Sequence, residues 1–334
     1  MTANDIIYSP HDRGMAGFRA AKRASEFKDI AIPLRVRGSE ISDYFAPLLP
    51  WEICAIQAQT HNGKTMFGNW WERDVIAYLN EQGQEGDIVH VSHEESIEAM
   101  AFTEYGRLLD VLPAKLARGE FADIGKLEIA MKQIDACRIW SIAESADRPE
   151  DETDLTISNV YRALLAMQEG KIAEARKIRL VTWDYLQANP IDLEVKQTAA
   201  DAQRRLQVRN DVYRLRKMTV HLKTPILIMV QCKQDLKGNN PPYEIPGIYD
   251  GEETSSIAQR FDRIISLWMP KTSKPPMTVV TYNGTPVFTV AENQVFAKVN
   301  KQRGGLPSGQ TFELKIDYST YEYMDAYTKE SSHA

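Results

Sequence analysis

With 334 residues and a hydrophobic content of 43%, the chain is long enough for one large α/β domain or two small ones and has a globular protein's apolar fraction. No run approaches the roughly 18 consecutive apolar residues that a membrane span needs, and the N-terminus lacks the charged-then-apolar layout of a secretory signal, so a cytoplasmic protein without a membrane partner is expected. A formal net charge of −6 argues against indiscriminate nucleic-acid binding but does not exclude DNA, because a ring can carry a basic channel inside an acidic exterior.

Residues 1–40 are polar and rich in charge, and the stretch GMAGFRAAKRASEFKD within them reads as a short helix, so this part is expected to be an arm or linker helix. Residues 41–325 read as one domain and 326–334 as a flexible tail. From Trp51 onward short apolar runs alternate with helical segments: WEICAIQAQ, GKTMFGNWWERDVIAYLNEQ, DIVHVSHE, then a helical region to about residue 132. That order predicts βαβα units and a parallel sheet. CRIWSIAE, IRLVTWDYL and TPILIMVQC continue the strands. RIISLWMP, TVVTYN, PVFTVAE, VFAKVNKQ and TFELKIDY crowd toward the C-terminus with tight turns such as NGTP, which predicts a mostly antiparallel extension after a doubly wound core. Polar connectors interrupt the pattern at 146–154 and 233–254. Cys54, Cys137 and Cys232 stand far apart with no CxxC or nearby histidine pair, and read as reduced core residues.

Ala58-Gln59-Thr60-His61-Asn62-Gly63-Lys64-Thr65 follows an apolar strand and opens a helix, the setting of a Walker A phosphate loop. In that role its backbone N–H groups wrap the phosphates of ATP, Lys64 neutralises the β and γ groups, and Thr65 holds Mg²⁺. Ala58 stands where the simple pattern has Gly, and a bare GKT also occurs by chance at ordinary helix starts. IRLVTWDYLQ is an apolar strand ending in Asp184, the acid expected to anchor the Mg²⁺ shell; an acid at a strand end is otherwise a solvated turn residue. Glu94, beyond the tip of DIVHVS, is placed to orient and deprotonate an attacking water, or, read alone, to favour a helix N-terminus.

Read in order, these pieces resemble the motor domain of DnaB-family replicative helicases and its RecA-type relatives, over about residues 41–320. LLPWEICAIQAQTHNGKT is similar to the family's strand and Walker A loop, where Ala also fills the first Gly position. DIVHVSHEES is similar to the strand with the catalytic Glu, ETDLTISNVYR to the segment before Walker B, and IRLVTWDYLQ to Walker B itself. The resemblance implies that TPILIMVQCKQ ends in a γ-phosphate sensor, Gln231. It also aligns SSIAQRFDRIISLW with the next family segment, Gln259 and Asp262 falling on matching positions. VNKQRGGLPSGQTFELKID resembles the Lys-x-Arg hairpin, which implies that Lys301 and Arg303 act in trans on a neighbour's nucleotide. A Lys and an Arg two residues apart on one strand, ahead of Gly304-Gly305, suit that role, although lysines and glycines also protect solvated sheet edges.

The resemblance therefore implies a RecA-like P-loop NTPase core that uses ATP and Mg²⁺, a ring homo-oligomer of hexameric kind, single-stranded DNA as partner, and partner proteins from replication or a mobile element. Departures from the family are the short segment before residue 41, where its replicative members carry a collar domain, and an acidic Glu252-Glu253-Thr254-Ser255 where Arg-Glu-Ser-Gly is usual. The stretch 272–293 is longer than expected between core strands, and its role stays open. Residues 196–217 are rich in Lys and Arg; Arg204 and Arg205 there, with Lys233 and Lys237 after Gln231, are candidate DNA-phosphate contacts, the alternative being a solvated helix. Two functions follow: a DnaB-like ATP-dependent helicase or translocase on single-stranded DNA, or an ATP-switched platform that loads partners without processive unwinding.

Overall fold

The computed structural model of the chain describes residues 9–27, 30–121, 123–145, 155–190, 200–233, 241–252 and 258–327. Chain order begins with α1 (Pro10–Phe27) and the short α2 (Ile41–Tyr44), then β1 (Ile53–Ala58), α3 (Lys64–Glu81) and β2 (Asp87–Ser92). Helices α4 (Ile97–Leu109), α5 (Pro113–Ala117) and α6 (Ile124–Ala136) lead to β3 (Ile139–Ile142). Next come α7 (Ile157–Gln168), β4 (Ile178–Asp184), α8 (Ala200–Leu222), β5 (Ile226–Gln231) and β6 (Arg263–Trp268). The chain closes with β7 (Val279–Tyr282), β8 (Thr285–Thr289), β9 (Gln294–Gln302), β10 (Thr311–Asp317) and β11 (Glu322–Asp325).

Nine strands form one sheet in the order β11-β10-β9-β6-β1-β5-β4-β2-β3. β1 lies between β5 and β6, parallel to both, and every one of its side chains is buried. That is the reason ICAIQA is an unbroken apolar run except for Gln57: a parallel strand covered on both faces has no polar side to show. Alternate residues serve opposite layers. Cys54, Ile56 and Ala58 join a core with Phe67, Trp71 and Val75 of α3, while Ile53 and Ala55 join one with Val160 and Leu164 of α7 and Val208, Val212 and Leu215 of α8. The result is a helix–sheet–helix sandwich, a doubly wound α/β architecture with an antiparallel C-terminal wing.

Three sequence expectations are corrected. Residues 30–40 are not all arm: Ile32, Leu34 and Val36 are fully or nearly fully buried in the core of α3, and Trp71 donates its indole N–H to Pro33 O at 2.7 Å. α1 does form, and its Phe18 is 64% exposed. RIISLWMP belongs to the parallel core and not to the extension, because β6 pairs parallel with β1; only β9, β10 and β11 run antiparallel onto it. Strands β7 and β8 make a separate hairpin, and β11 is an additional strand paired with β10. Cys54 and Cys232 are buried free thiols, whereas Cys137 caps α6 and is only half-buried. Among the described residues, no helix is long and apolar enough to cross a membrane.

Candidate nucleotide site

Because β1, β2, β4, β5 and β6 are mutually parallel along the sheet, their C-terminal ends share one edge, where the helices that follow leave N–H groups unpaired. A cleft of about 490 Å³ opens there, lined by Thr60, His61, Gly63, Lys64, Thr65, Glu94 and Gln231 among others. The loop 59–63 leaves β1 and enters α3 with Gly63 left-handed at φ 77°. A Cβ at Gly63 would stand 3.1 Å from the Met269 sulfur and 3.2 Å from the Tyr323 hydroxyl, so both backbone and space require glycine there. Asn62 is buried and fastens the loop to the end of β6: its Oδ1 accepts from Met269 N at 2.8 Å and from the Thr272 hydroxyl at 3.2 Å. Among the residues expected to bind phosphate, Ala58 is buried at the strand end and Asn62 braces the loop.

Thr65 and Asp184 meet. The Thr65 hydroxyl donates to Asp184 Oδ2 at 2.6 Å, and Asp184 Oδ1 is buried with no hydrogen-bond partner. A hydroxyl and a carboxylate side by side, one oxygen unsatisfied, are the hard donors that Mg²⁺ takes, and these two residues fit it. Burial pushes the Asp184 carboxyl above its ordinary range, opposed by His90, the Thr65 hydrogen bond and Lys64. Burial likewise pushes the Lys64 ammonium down, with Asp184 foremost in opposing it. Lys64 Nζ lies 3.4 Å from Gln59 O, folded back on its own loop. Glu94 is exposed at the cleft, one residue past His93, whose N–H donates to Asp184 O at 2.7 Å. The His93 ring sits edge-on to Trp183 at 5.2 Å, and burial pushes its pKa down to about 4, so it is neutral near pH 7.

Three features of this site go beyond what the sequence reading draws. Glu72 of α3 and His90 of β2, both almost wholly buried, pair at 2.7 Å behind Asp184; burial opposes the imidazolium, but Glu72 outweighs it and the histidine is pushed up to about 9. Gln187, in the turn after Asp184, clamps the backbone of Gln231: its Oε1 accepts from Gln231 N at 3.2 Å and its Nε2 donates to Gln231 O at 3.0 Å. Gln59 Nε2 donates to Lys233 O at 3.2 Å, so the phosphate loop is tied to the chain just beyond β5. The DYLQ tetrapeptide is the available signal for Gln187; an acid between Trp71 and Arg73 is the only one for Glu72.

Lys301 and Arg303 lie elsewhere. β9 is antiparallel to β6 and Lys301 pairs with Ile264, near the start of β6, so these cations sit at the opposite edge of the sheet from the cleft, roughly 20 Å away along six-residue strands. Lys301 is on β9, with an irregularity in register beside it, and Arg303 is just past the strand end, not on it as expected. Lys301 Nζ donates to Ala258 O at 2.7 Å, and burial, with Arg303 and Arg216 nearby, pushes it down to about 8. Of the candidate DNA contacts, Arg204 donates to Asn189 O at 3.1 Å and to Gln187 O, holding the turn after Asp184; Lys233 is exposed at the root of the loop after β5. The Arg205 side chain and Lys237 lie outside the described residues.

Among solved structures, the chain is similar to a DnaB-like replicative helicase whose structure was described with its interactions with primase, with a TM-score of 0.61 and 18% identity over 83% of this chain and 59% of that one. It is also similar to the ATPase domain of a second helicase, with a TM-score of 0.67 and 17% identity over 93% of this chain and 97% of that domain. The chain thus spans about three fifths of the first helicase's length and nearly the whole ATPase domain of the second. No family model matches the sequence, and no curated protein matches it. The fold is that of a RecA-like helicase ATPase domain.

Proposed function

We propose that this chain is a cytoplasmic Mg²⁺-dependent ATPase that works as a ring homo-oligomer, a hexamer, and translocates on single-stranded DNA in the manner of a DnaB-like helicase. The observation that carries the reading is the convergence of Lys64, Thr65, Asp184, Glu94 and Gln231 on one cleft, with Lys301 and Arg303 on the far edge of the same subunit. A finger that cannot reach its own cleft serves a neighbour's, so the complete site lies between subunits.

Thr65 and Asp184 would hold Mg²⁺, which supplies charge neutralisation at the phosphates when bound. The Lys64 ammonium binds the β- and γ-phosphate oxygens and offsets the charge that grows there. Glu94 orients a water and takes its proton as the water oxygen bonds to the γ-phosphorus and the bond to the β-phosphate oxygen breaks, giving phosphate and ADP. Gln231, at the tip of β5, is placed to sense the γ-phosphate, and its backbone is held by Gln187. Lys233, just beyond, is a candidate to follow that movement and grip DNA phosphates, together with Arg205 and Lys237.

A second reading, an ATP-switched platform that recruits replication or mobile-element proteins, is favoured by the β7–β8 hairpin. It exposes Met277, Val279, Tyr282 and Val287, an apolar face suited to a protein partner. Strand displacement from a forked duplex with ATP, set beside ATPase rates with and without DNA, separates the two: a translocase unwinds and is DNA-stimulated, and a platform does neither. DNA affinity that falls steeply with salt, with a slope flattened by Lys233→Ala and Lys237→Ala, supports the DNA contacts.

A further inference from the structure

At the edge of the sheet opposite the cleft, one buried carboxylate serves two arginines. Asp262 is only 3% exposed and is fixed to the sheet, because its Oδ2 accepts from Ile53 N at 2.9 Å. The same carboxylate pairs with Arg216 of α8, and its Oδ1 lies 3.5 Å from Arg303 NH1. Arg303 is also held through its backbone, its N–H donating to Asp262 O at 3.0 Å, and its guanidinium reaches Gln259 O. Arg209, Arg216, Arg260 and Arg303 surround an open cavity beside this carboxylate, with Lys301 next to it. Cations crowd here well beyond what one acid neutralises. Such a site holds its arginines apart by geometry, and each cation raises the cost of leaving its neighbour in the wrong place.

The mount of Arg216 is rigid. Near its start α8 is fastened to the turn after Asp184: Arg204 donates to Gln187 O and Asn189 O, Gln207 Nε2 to Pro190 O at 2.8 Å, and Asn189 Nδ2 to Asp211 Oδ2 at 3.2 Å. Asn189 in turn accepts the Trp183 indole N–H at 2.7 Å, next to Asp184. Val208, Val212 and Leu215 seat the helix on the sheet. Arg216 projects about 18 Å along the axis from Arg204. It is thus presented to Asp262 by a helix anchored at the catalytic turn.

We propose that Arg216 is a positioning residue for Arg303: by occupying one side of the Asp262 carboxylate it leaves Arg303 loosely held on the other, oriented outward and free to transfer to a neighbour's triphosphate. This inference rests on the intersubunit reading above. Arg303 is 46% exposed and 3.5 Å from its acid, a weak tie, while Arg216 is the more buried and closer partner. Removing Arg216 gives Asp262 to Arg303 alone, and the finger is drawn back.

The test uses the full chain in Mg²⁺-ATP turnover assays. Arg216→Gln is expected to lower kcat on the order of tenfold with KM for ATP nearly unchanged, since a misplaced finger harms the transition state and not nucleotide binding by the phosphate loop. Arg216→Lys, which can still pair with Asp262, should recover most of the rate. In an Arg303→Ala background Arg216→Gln should cost nothing further, because its effect passes through the finger. Three results would overturn the proposal: undiminished kcat in Arg216→Gln, a raised KM in place of a lowered kcat, or a further additive loss on top of Arg303→Ala. If Arg303→Ala itself leaves turnover intact, the intersubunit reading fails and this inference falls with it.

Discussion

Thr65 and Asp184, on different elements and far apart in the chain, share a hydrogen bond of 2.6 Å that leaves the second Asp184 oxygen buried and unpaired. Such a carboxylate is held at a cost for what it binds. Since burial raises its pKa in the folded state, its charged form is destabilising at neutral pH, and neutralising it should stabilise the apoprotein. Asp184→Asn is accordingly expected to melt at or above the wild-type temperature without metal, yet to lose the protection that Mg²⁺-ATP gives and to lose turnover. Melting curves with and without Mg²⁺-ATP check this; a variant less stable than wild type in metal-free buffer would show that Asp184 is a structural acid.

Lys64→Ala should abolish hydrolysis, by at least about a hundredfold, with the fold intact. The ammonium is pushed down by burial and lies only against Gln59 O at 3.4 Å, so it gives the resting loop little. Circular dichroism and steady-state ATPase rates read the two halves separately, and normal turnover in the folded variant would remove the phosphate-loop assignment.

Glu94→Gln should keep ATP binding and stall hydrolysis, since an amide accepts no proton from water. Glu94 is exposed at the cleft, so its replacement leaves no buried group unpaired. Retention of unhydrolysed nucleotide on a size-exclusion column is the expected signature. Loss of binding would instead make Glu94 part of the loop's support.

The Glu72–His90 pair makes stability depend on pH. The His90 pKa is about 9 in the folded protein against an ordinary 6.5, so the proton it holds contributes stability that is fully present below about 6.5 and is lost as pH rises through about 9. Thermal melts should fall across that window in wild type and flatten in His90→Gln. Glu72→Gln, which leaves a buried imidazolium without its partner, should cost about 3–5 kcal/mol at neutral pH. A melting temperature independent of pH between 6.5 and 9 would mean that the histidine is neutral throughout.

How much of this is legible in the sequence depends on whether a residue's task is local. The order of strands can be read from ICAIQA, DIVHVS, IRLVTWD and ILIMVQ, because a doubly covered parallel strand has to be apolar throughout, and the phosphate loop is visible because its task is set by neighbours in sequence. The crowding of strands near the C-terminus puts β6 in the wrong part of the sheet, since RIISLW carries no mark of which partner it pairs with. Ile32, Leu34 and Val36 escape notice because Pro33 and Arg35 interleave with them and break the helical pattern. Glu72, Gln187 and Asp262 act through partners that only the fold brings near: His90, Gln231 and Arg216. A Gln or an Asp in a polar stretch has no sequence signature for a distant contact.

The finger offers a test of a kind that no residue acting within its own subunit can pass. Lys301 and Arg303 stand at the edge of the sheet away from the cleft, so a single chain cannot complete its own site with them. Glu94→Gln and Arg303→Ala should each be nearly inactive alone. In a mixed ring, a nucleotide on an Arg303→Ala subunit still has its own Glu94, and it meets an intact arginine when the neighbour is a Glu94→Gln chain. Equal amounts assembled at random around a cyclic ring place such pairs at about a quarter of the interfaces. Partial recovery of ATPase activity is therefore expected when the two variants are mixed before assembly, and none when each is assembled first. Native mass spectrometry of the mixture establishes that mixed rings form; with that established, an absence of recovery would end the intersubunit site and with it the reading of this protein as a ring motor.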